Sequence, residues 1–252
     1  IGLIIYDSLE TLSGGYLYDR KLVAHLRMRG DTVEVISLPW RGYRRHLLDN
    51  FSGGLLDRLA NAGHDLLLQD ELNHPSLFLY NGFLKKRAVF PLVSIVHHLR
   101  CSEARPRWQN RLYALVERRY LESVDGFIYN SRATRQAVEA LTRERKLGVV
   151  AYPAGDRLRP DVRPEDVRRR ALQDGPLRLF FLGNLIPRKG LHTLLSALEK
   201  LEGEWQLEVC GRLDADVDYS RSIRRRVESG GWADRVKFLG PLPDDALVDH
   251  LR

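Results

Sequence analysis

The feature that most constrains the fold is an alternation. Short β-rich apolar runs recur along the chain, each followed by a stretch of helical period, the pattern of a parallel sheet wrapped on both faces by helices. Six such runs open the chain, at residues 2–6, 32–38, 65–69, 92–98, 125–131 and 147–152, with helices beginning near Gly15, Arg44, Pro75, Pro106 and Arg132. In the first helix Tyr18, Leu22 and Leu26 recur on one face. The fold class expected is α/β, with a doubly wound, Rossmann-like parallel-sheet domain over residues 1–155.

From residue 156 to 176 apolar residues thin out while proline and arginine accumulate, so a linker carrying a short helix is expected. The alternation then restarts with "LRLFFLG", a helix over 189–201, "WQLEVCG", a helix over 220–229, "RVKFLG" and a last helix from Asp244 to Arg252. Residues 177–252 thus predict a second α/β domain, incomplete with three strands. A chain of 252 residues can bury two such cores.

The net charge of +7 admits nucleic acid, an acidic membrane surface or phosphorylated small molecules as partners. The two cysteines, Cys101 and Cys210, lie far apart in different kinds of segment, which argues for buried thiols in a reducing compartment rather than a disulfide framework. No apolar run approaches the ~20 residues that span a bilayer and no signal peptide is evident, so a soluble or peripheral protein is expected. The segments 40–48, "WRGYRRHLL", and 105–121 set arginines beside aromatic residues. In the second, Leu112, Leu115, Val116 and Tyr120 fall at helical spacing and leave Arg111, Arg118 and Arg119 for a solvated face, which also suits docking to anionic lipid. No helix-turn-helix, zinc or RNA-binding signature accompanies the charge, so nucleic acid is not an expected partner.

Candidate chemistry gathers where strands give way to helices. After the first run, Ser13 stands at an N-cap position with Gly14 and Gly15 at the mouth of the helix. These residues read either as a well-capped tight turn or as a loop whose N–H groups approach an anion. The dinucleotide fingerprint Gly-x-Gly-x-x-Gly, an acidic residue ending the second run and a Walker loop are all absent. "VHHLRCSE" puts His97 and His98 at the carboxyl end of a strand, where α/β sheets bind ligands. The pair reads as structural or catalytic, and its spacing does not predict a metal site. In "FFLGNLIPRKGLHTLL", Arg188 and Lys189 sit between a buried run and the start of a helix, a place for two cations if something anionic binds there.

With these motifs in view, the chain resembles the retaining glycosyltransferases of family four, of the GT-B fold, over nearly its whole length. The resemblance is carried by "VHH", "VDGFIYNSRATRQAV", "GNLIPRKG", "LEVCGR" and "RVKFLGPLPDDAL". It implies transfer of a sugar from a nucleotide-sugar donor to a lipid or saccharide acceptor, with retention at the anomeric carbon and the donor in a cleft between two domains. Arg188 and Lys189 then match the loop that holds the donor diphosphate, and Gly14 and Gly15 approach the same phosphates from the first domain. His97, rather than His98, matches the strand-end histidine that positions sugar and acceptor, and is expected to face the cleft. Ser131, Gly183, Asn184 and Gly211, which lie within the matching motifs, are further expected donor or acceptor contacts.

The resemblance also implies a front-face route in which the departing phosphate takes the acceptor proton, with no metal and no cofactor. Localisation is read from the residues: the unpaired cysteines predict the cytoplasm, and the basic, aromatic segments suit a peripheral place at the inner membrane face. Asn184 stands where the family loop often carries an arginine. The family's two glutamates that grip sugar and ribose lie beyond residue 252, so the chain as given is expected to fold without transferring sugar. The rival reading is a module that binds a nucleotide or anionic lipid without turnover.

Overall fold

A computed structural model describes residues 1–11, 13–155, 157–158 and 161–251. Leu12 of the first loop, Asp156, Arg159 and Pro160 of the expected linker, and Arg252, where the last helix was expected to end, lie outside the described residues. The chain divides into two compact units, Ile1–Ala154 and Gly155–Arg252.

The first unit runs β1 (Gly2–Tyr6), α1 (Gly14–Met28), β2 (Glu34–Leu38), α2 (Tyr43–His46), α3 (Gly53–Ala60), β3 (Leu67–Asp70), α4 (His74–Leu77), α5 (Tyr80–Leu84), β4 (Leu92–Val96), α6 (Arg107–Ser123), β5 (Gly126–Tyr129), α7 (Arg132–Leu141) and β6 (Leu147–Val150). Its six strands form one sheet in the order β2-β1-β3-β4-β5-β6, every pair parallel. β1 is buried at all five positions because both faces of the sheet are covered. Ile4 and Tyr6 join the core on one side with Tyr120 and Leu121 of α6, while Leu3 and Ile5 join the core on the other with Tyr16 and Val23 of α1. This period-two division is what wraps helices on both faces. The order reverses between β1 and β3, so the crevice outside their carboxyl ends is where a doubly wound sheet binds ligands.

Two helices depart from the sequence reading. The helix expected near Arg44 is instead a single turn, α2, then the short 3-10 helix Leu47–Phe51 and α3. Buried Asn50 directs this break: it donates to the Leu47 and Pro75 carbonyls and accepts from the backbone of Leu79 and Tyr80. On α6 the buried face is Glu117, Tyr120 and Leu121, whereas Leu112 and Leu115 are 55% and 65% exposed. Glu117 turns inward because its carboxylate accepts from the backbone N–H groups of Arg100 and Cys101.

The second unit runs α8 (Pro164–Ala171), β7 (Leu177–Leu182), α9 (Leu191–Leu198), β8 (Trp205–Cys210), α10 (Val217–Ser229), β9 (Val236–Gly240) and α11 (Asp244–Leu251). Its three strands are parallel in the order β7-β8-β9. Leu191, Leu195 and Leu198 of α9 and Ile223 and Val227 of α10 pack on Trp205, Leu207 and Val209. Arg157, ahead of α8, pairs with Asp244 through Nε and Nη2. Cys101 and Cys210 are both free thiols, Cys210 buried as expected and Cys101 only half-buried. Among the described residues no helix is long and apolar enough to cross a membrane.

Candidate functional site

At the carboxyl edge of the first sheet, α1 begins beside the residues that follow β4. Ser13 caps α1 by accepting from the Tyr16 N–H at 3.2 Å. Gly14 is exposed at the first helical position, and Gly15 faces His97 so closely that a Cβ on it would meet Cδ2 of the ring at 3.2 Å. β4 ends at Val96, which leaves His97 and His98 just past the strand. The His97 ring is edge-on to Tyr18, with centroids 5.2 Å apart, and its Nε2 lies 3.3 Å from Oδ1 of Asp19. Its Nδ1 has no hydrogen bond among the described residues. The His97 carbonyl accepts from Nδ2 of Asn130 at 2.9 Å, and Asn130 in turn accepts from Thr134, next to the Ser131 cap of α7. His98 turns elsewhere, its Nε2 3.8 Å from the Glu103 carboxylate.

Two carboxyl groups that the sequence reading did not single out complete this cluster. Asp19 is wholly buried and Asp70, ending β3, is 1% exposed. Donor atoms of Asp19, Asp70 and His97 all lie within 4.8 Å of one another, close enough to hold a metal ion. Burial, reinforced by the charge of Asp19, pushes the Asp70 carboxyl up to about 7. Burial acts to lower the His97 pKa, but the Asp19 hydrogen bond and the two aspartate charges outweigh it and hold the imidazolium above its ordinary value. One sequence signal existed for Asp19: it falls between Tyr16 and Val23 on the buried stripe of α1.

At the carboxyl edge of the second sheet, the loops after β7 and β8 are laid on one another. Gly183 donates to the Cys210 carbonyl at 2.8 Å, Leu185 to the Arg212 carbonyl at 2.9 Å, and the Arg212 N–H to Oδ1 of Asn184 at 3.1 Å. Gly211 has φ of +138°, and a Cβ there would stand 2.2 Å from the Gly183 carbonyl oxygen, so only glycine permits the approach. The chain then forms the short 3-10 helix Pro187–Lys189, turns through Gly190 at φ +77° and enters α9. The Lys189 stem lies against Gly183. Arg188 and Lys189 are both exposed, and among the described residues no carboxylate pairs with either. Each expected site residue therefore lies at a strand-to-helix edge: Gly14, Gly15, His97 and Ser131 on the first unit, and Gly183, Asn184, Arg188, Lys189 and Gly211 on the second.

Two α/β units, each with a parallel sheet and polar residues at its carboxyl edge, are the architecture of the GT-B fold. Residues 17–155 match the family described as glycosyl transferase 4-like domain, and residues 162–252 match glycosyl transferases group 1. The chain belongs to this glycosyltransferase family. Its fold is similar to that of sucrose-phosphate synthase from Thermosynechococcus elongatus, with 18% identity and a TM-score of 0.72 over 98% of this chain and 72% of that one. It is also similar to HepE from Anabaena, solved in complex with UDP and glucose, with 20% identity and a TM-score of 0.60 over 96% of this chain and 70% of that one. No curated protein matches the chain.

Proposed function

We propose that the protein transfers a hexose from a nucleotide-sugar donor to a lipid or saccharide acceptor, with retention at the anomeric carbon. The observation that carries the donor half is the cation pair at Arg188 and Lys189, exposed and without carboxylate partners among the described residues, beside the Gly183–Gly211 contact and the amino end of α9. As the bond from the anomeric carbon to the diphosphate breaks, charge grows on the leaving oxygen. Cations fixed there stabilise the transition state more than the ground state. This is the task a metal ion performs elsewhere, and in this reading Arg188 and Lys189 perform it without one. HepE has been solved with UDP-glucose, which supports a donor of this class.

On the first unit, Gly14 and Gly15 leave the start of α1 open to a phosphate, and His97 presents Nδ1 to the sugar or acceptor while Asp19 holds Nε2. Ser131, Gly183, Asn184 and Gly211 shape the two edges. The acceptor proton passes to the departing phosphate in the front-face route. Exposed Trp40, Trp108, Leu112 and Leu115 beside arginines on α2 and α6 support a peripheral position on an anionic, cytoplasmic membrane face. Incubation of a chain that also carries the family's two glutamates with a panel of nucleotide sugars, reading nucleoside diphosphate release and the anomeric configuration of the product by NMR, tests the proposal. Release with inversion would overturn retention; donor binding with no release for any sugar would favour the module without turnover.

A further inference from the structure

Three residues beyond His97, the short 3-10 helix Arg100–Ser102 carries a cation that the donor chemistry does not use. The guanidinium carbon of Arg100 lies 5.1 Å from the ring centre of Tyr43 and 4.9 Å from that of Tyr113. The two rings themselves meet edge to face at 4.8 Å, which sets α2 beside α6. A second guanidinium, that of Arg105, approaches the Tyr113 ring at 5.3 Å. Stacking against two rings fixes the plane of a guanidinium and so the direction of its donors.

One of those donors lacks an acceptor. Nε of Arg100 is buried with no hydrogen-bond partner, and among the described residues no carboxylate lies within ion-pair distance of its guanidinium. The nearby buried carboxylate of Glu117 is already engaged by the backbone N–H groups of Arg100 and Cys101, at 2.5 and 2.9 Å. Glu117 thus anchors the turn through the backbone, and the Arg100 charge acts on buried Glu71 without pairing with it, Glu71 being beside His74. Arg105 differs, since it pairs with Glu103. A buried donor left unmade costs its whole desolvation, and a planar fork with free N–H groups matches a tetrahedral oxyanion through two parallel hydrogen bonds. Arg44, Arg45, Arg107 and Arg111 are exposed on the neighbouring helix faces and favour a dianion over a single charge.

We propose that Arg100, clamped between Tyr43 and Tyr113, binds the phosphate group of a phosphate-bearing acceptor. The site rests on the glycosyl-transfer reading only in naming the bearer of that phosphate as the acceptor. The phosphate belongs either to a lipid headgroup or to a water-soluble ester.

The test is titration of inorganic phosphate at constant ionic strength, followed by the Nε–H NMR resonance of Arg100. It is run with Arg188→Ala and Lys189→Ala in place, so that anion binding at that loop is not mistaken for this site. The expected result is a saturable shift, with affinity weakened about tenfold or more in Arg100→Lys, which keeps the charge and loses the fork. No saturable shift, or equal affinity in Arg100→Lys, would overturn the proposal. Should Arg100→Lys melt early, the presence or absence of the shift in the parent decides alone. Phosphatidylcholine vesicles with and without phosphatidic acid distinguish the sources. Arg100-dependent gain of binding with phosphatidic acid assigns a lipid headgroup, and phosphate binding without that gain assigns a soluble ester. Nucleoside diphosphate release from a nucleotide sugar without acceptor is read separately, so failure of the transferase reading is not confused with failure of this site.

Discussion

Nε2 of His97 stands 3.3 Å from Oδ1 of Asp19, a carboxylate with no exposed surface. The ring is 13% exposed, with Nε2 fixed toward Asp19 and Nδ1 without a hydrogen bond among the described residues. An anion behind an imidazole selects its tautomer, limits its rotation and favours its protonated form.

Replacing Asp19 by Asn should therefore lower the pKa of His97, read by NMR titration of the ring. In a chain that also carries the family's two glutamates it should slow nucleoside diphosphate release by about tenfold or more, equivalent to about 1.4 kcal/mol. An unmoved His97 titration would remove Asp19 from this role.

Asp70 gives a pH signature of stability. Burial and then the Asp19 charge raise its native pKa to about 7, while the unfolded chain titrates in the ordinary carboxylate range. Between these values the native state holds the extra proton, so the contribution is fully present below the unfolded pKa and is lost as pH rises through about 7. Denaturant unfolding at pH 5 and pH 8 should show the protein less stable at the higher pH. In Asp70→Asn the difference should shrink by roughly 1–4 kcal/mol, since Asn can still accept from the Leu72 N–H. Parallel profiles for the two proteins would contradict a raised Asp70.

The inner strands of the first sheet were legible because their runs are apolar enough to be buried on both faces, and "GLIIY" emerged with the bounds its pattern implies. The strand-to-helix edges were legible for the same reason, since Gly183, Arg188 and Lys189 interrupt apolar periodicity. Asp19, Asp70 and Glu117 were not, because hydropathy assigns carboxylates to the surface. What holds them inside are partners distant in sequence: His97 for Asp19, and the backbone of residues 100–101 for Glu117. The break after α2 was hidden likewise, since three of the four hydrogen bonds of Asn50 reach residues 25 to 30 positions away. Local pattern cannot report a tertiary contact that reverses a local preference.

The cation pair is expected to matter to chemistry and not to folding. Arg188 and Lys189 are exposed without carboxylate partners among the described residues, so Arg188→Ala with Lys189→Ala should leave the melting temperature unchanged. In a chain that also carries the family's two glutamates, turnover should fall by about 100-fold or more, as the loss of preorganised charge typically causes. Unchanged kinetics in a folded double variant would refute their assignment to the diphosphate.

Two glycines separate architecture from binding in the same way. At Gly211 an added Cβ would lie 2.2 Å from the oxygen and 2.5 Å from the carbon of the Gly183 carbonyl, both backbone atoms, at a φ of +138° that L side chains rarely adopt. Gly211→Ala must therefore part the loops after β7 and β8, which are joined by the Gly183, Leu185 and Arg212 N–H groups. A loss of about 3 kcal/mol or more is expected, measured by denaturant unfolding of the second unit. Gly14 meets nothing within 4 Å of an added Cβ and begins α1 without a positive φ. Gly14→Ala should change stability by no more than about 0.5 kcal/mol, yet weaken nucleotide-sugar binding if the methyl group stands where a phosphate must approach the backbone. Calorimetric titration of the donor into both variants reads the difference, and full donor affinity in a stable Gly14→Ala protein would return this loop to the role of a capped turn.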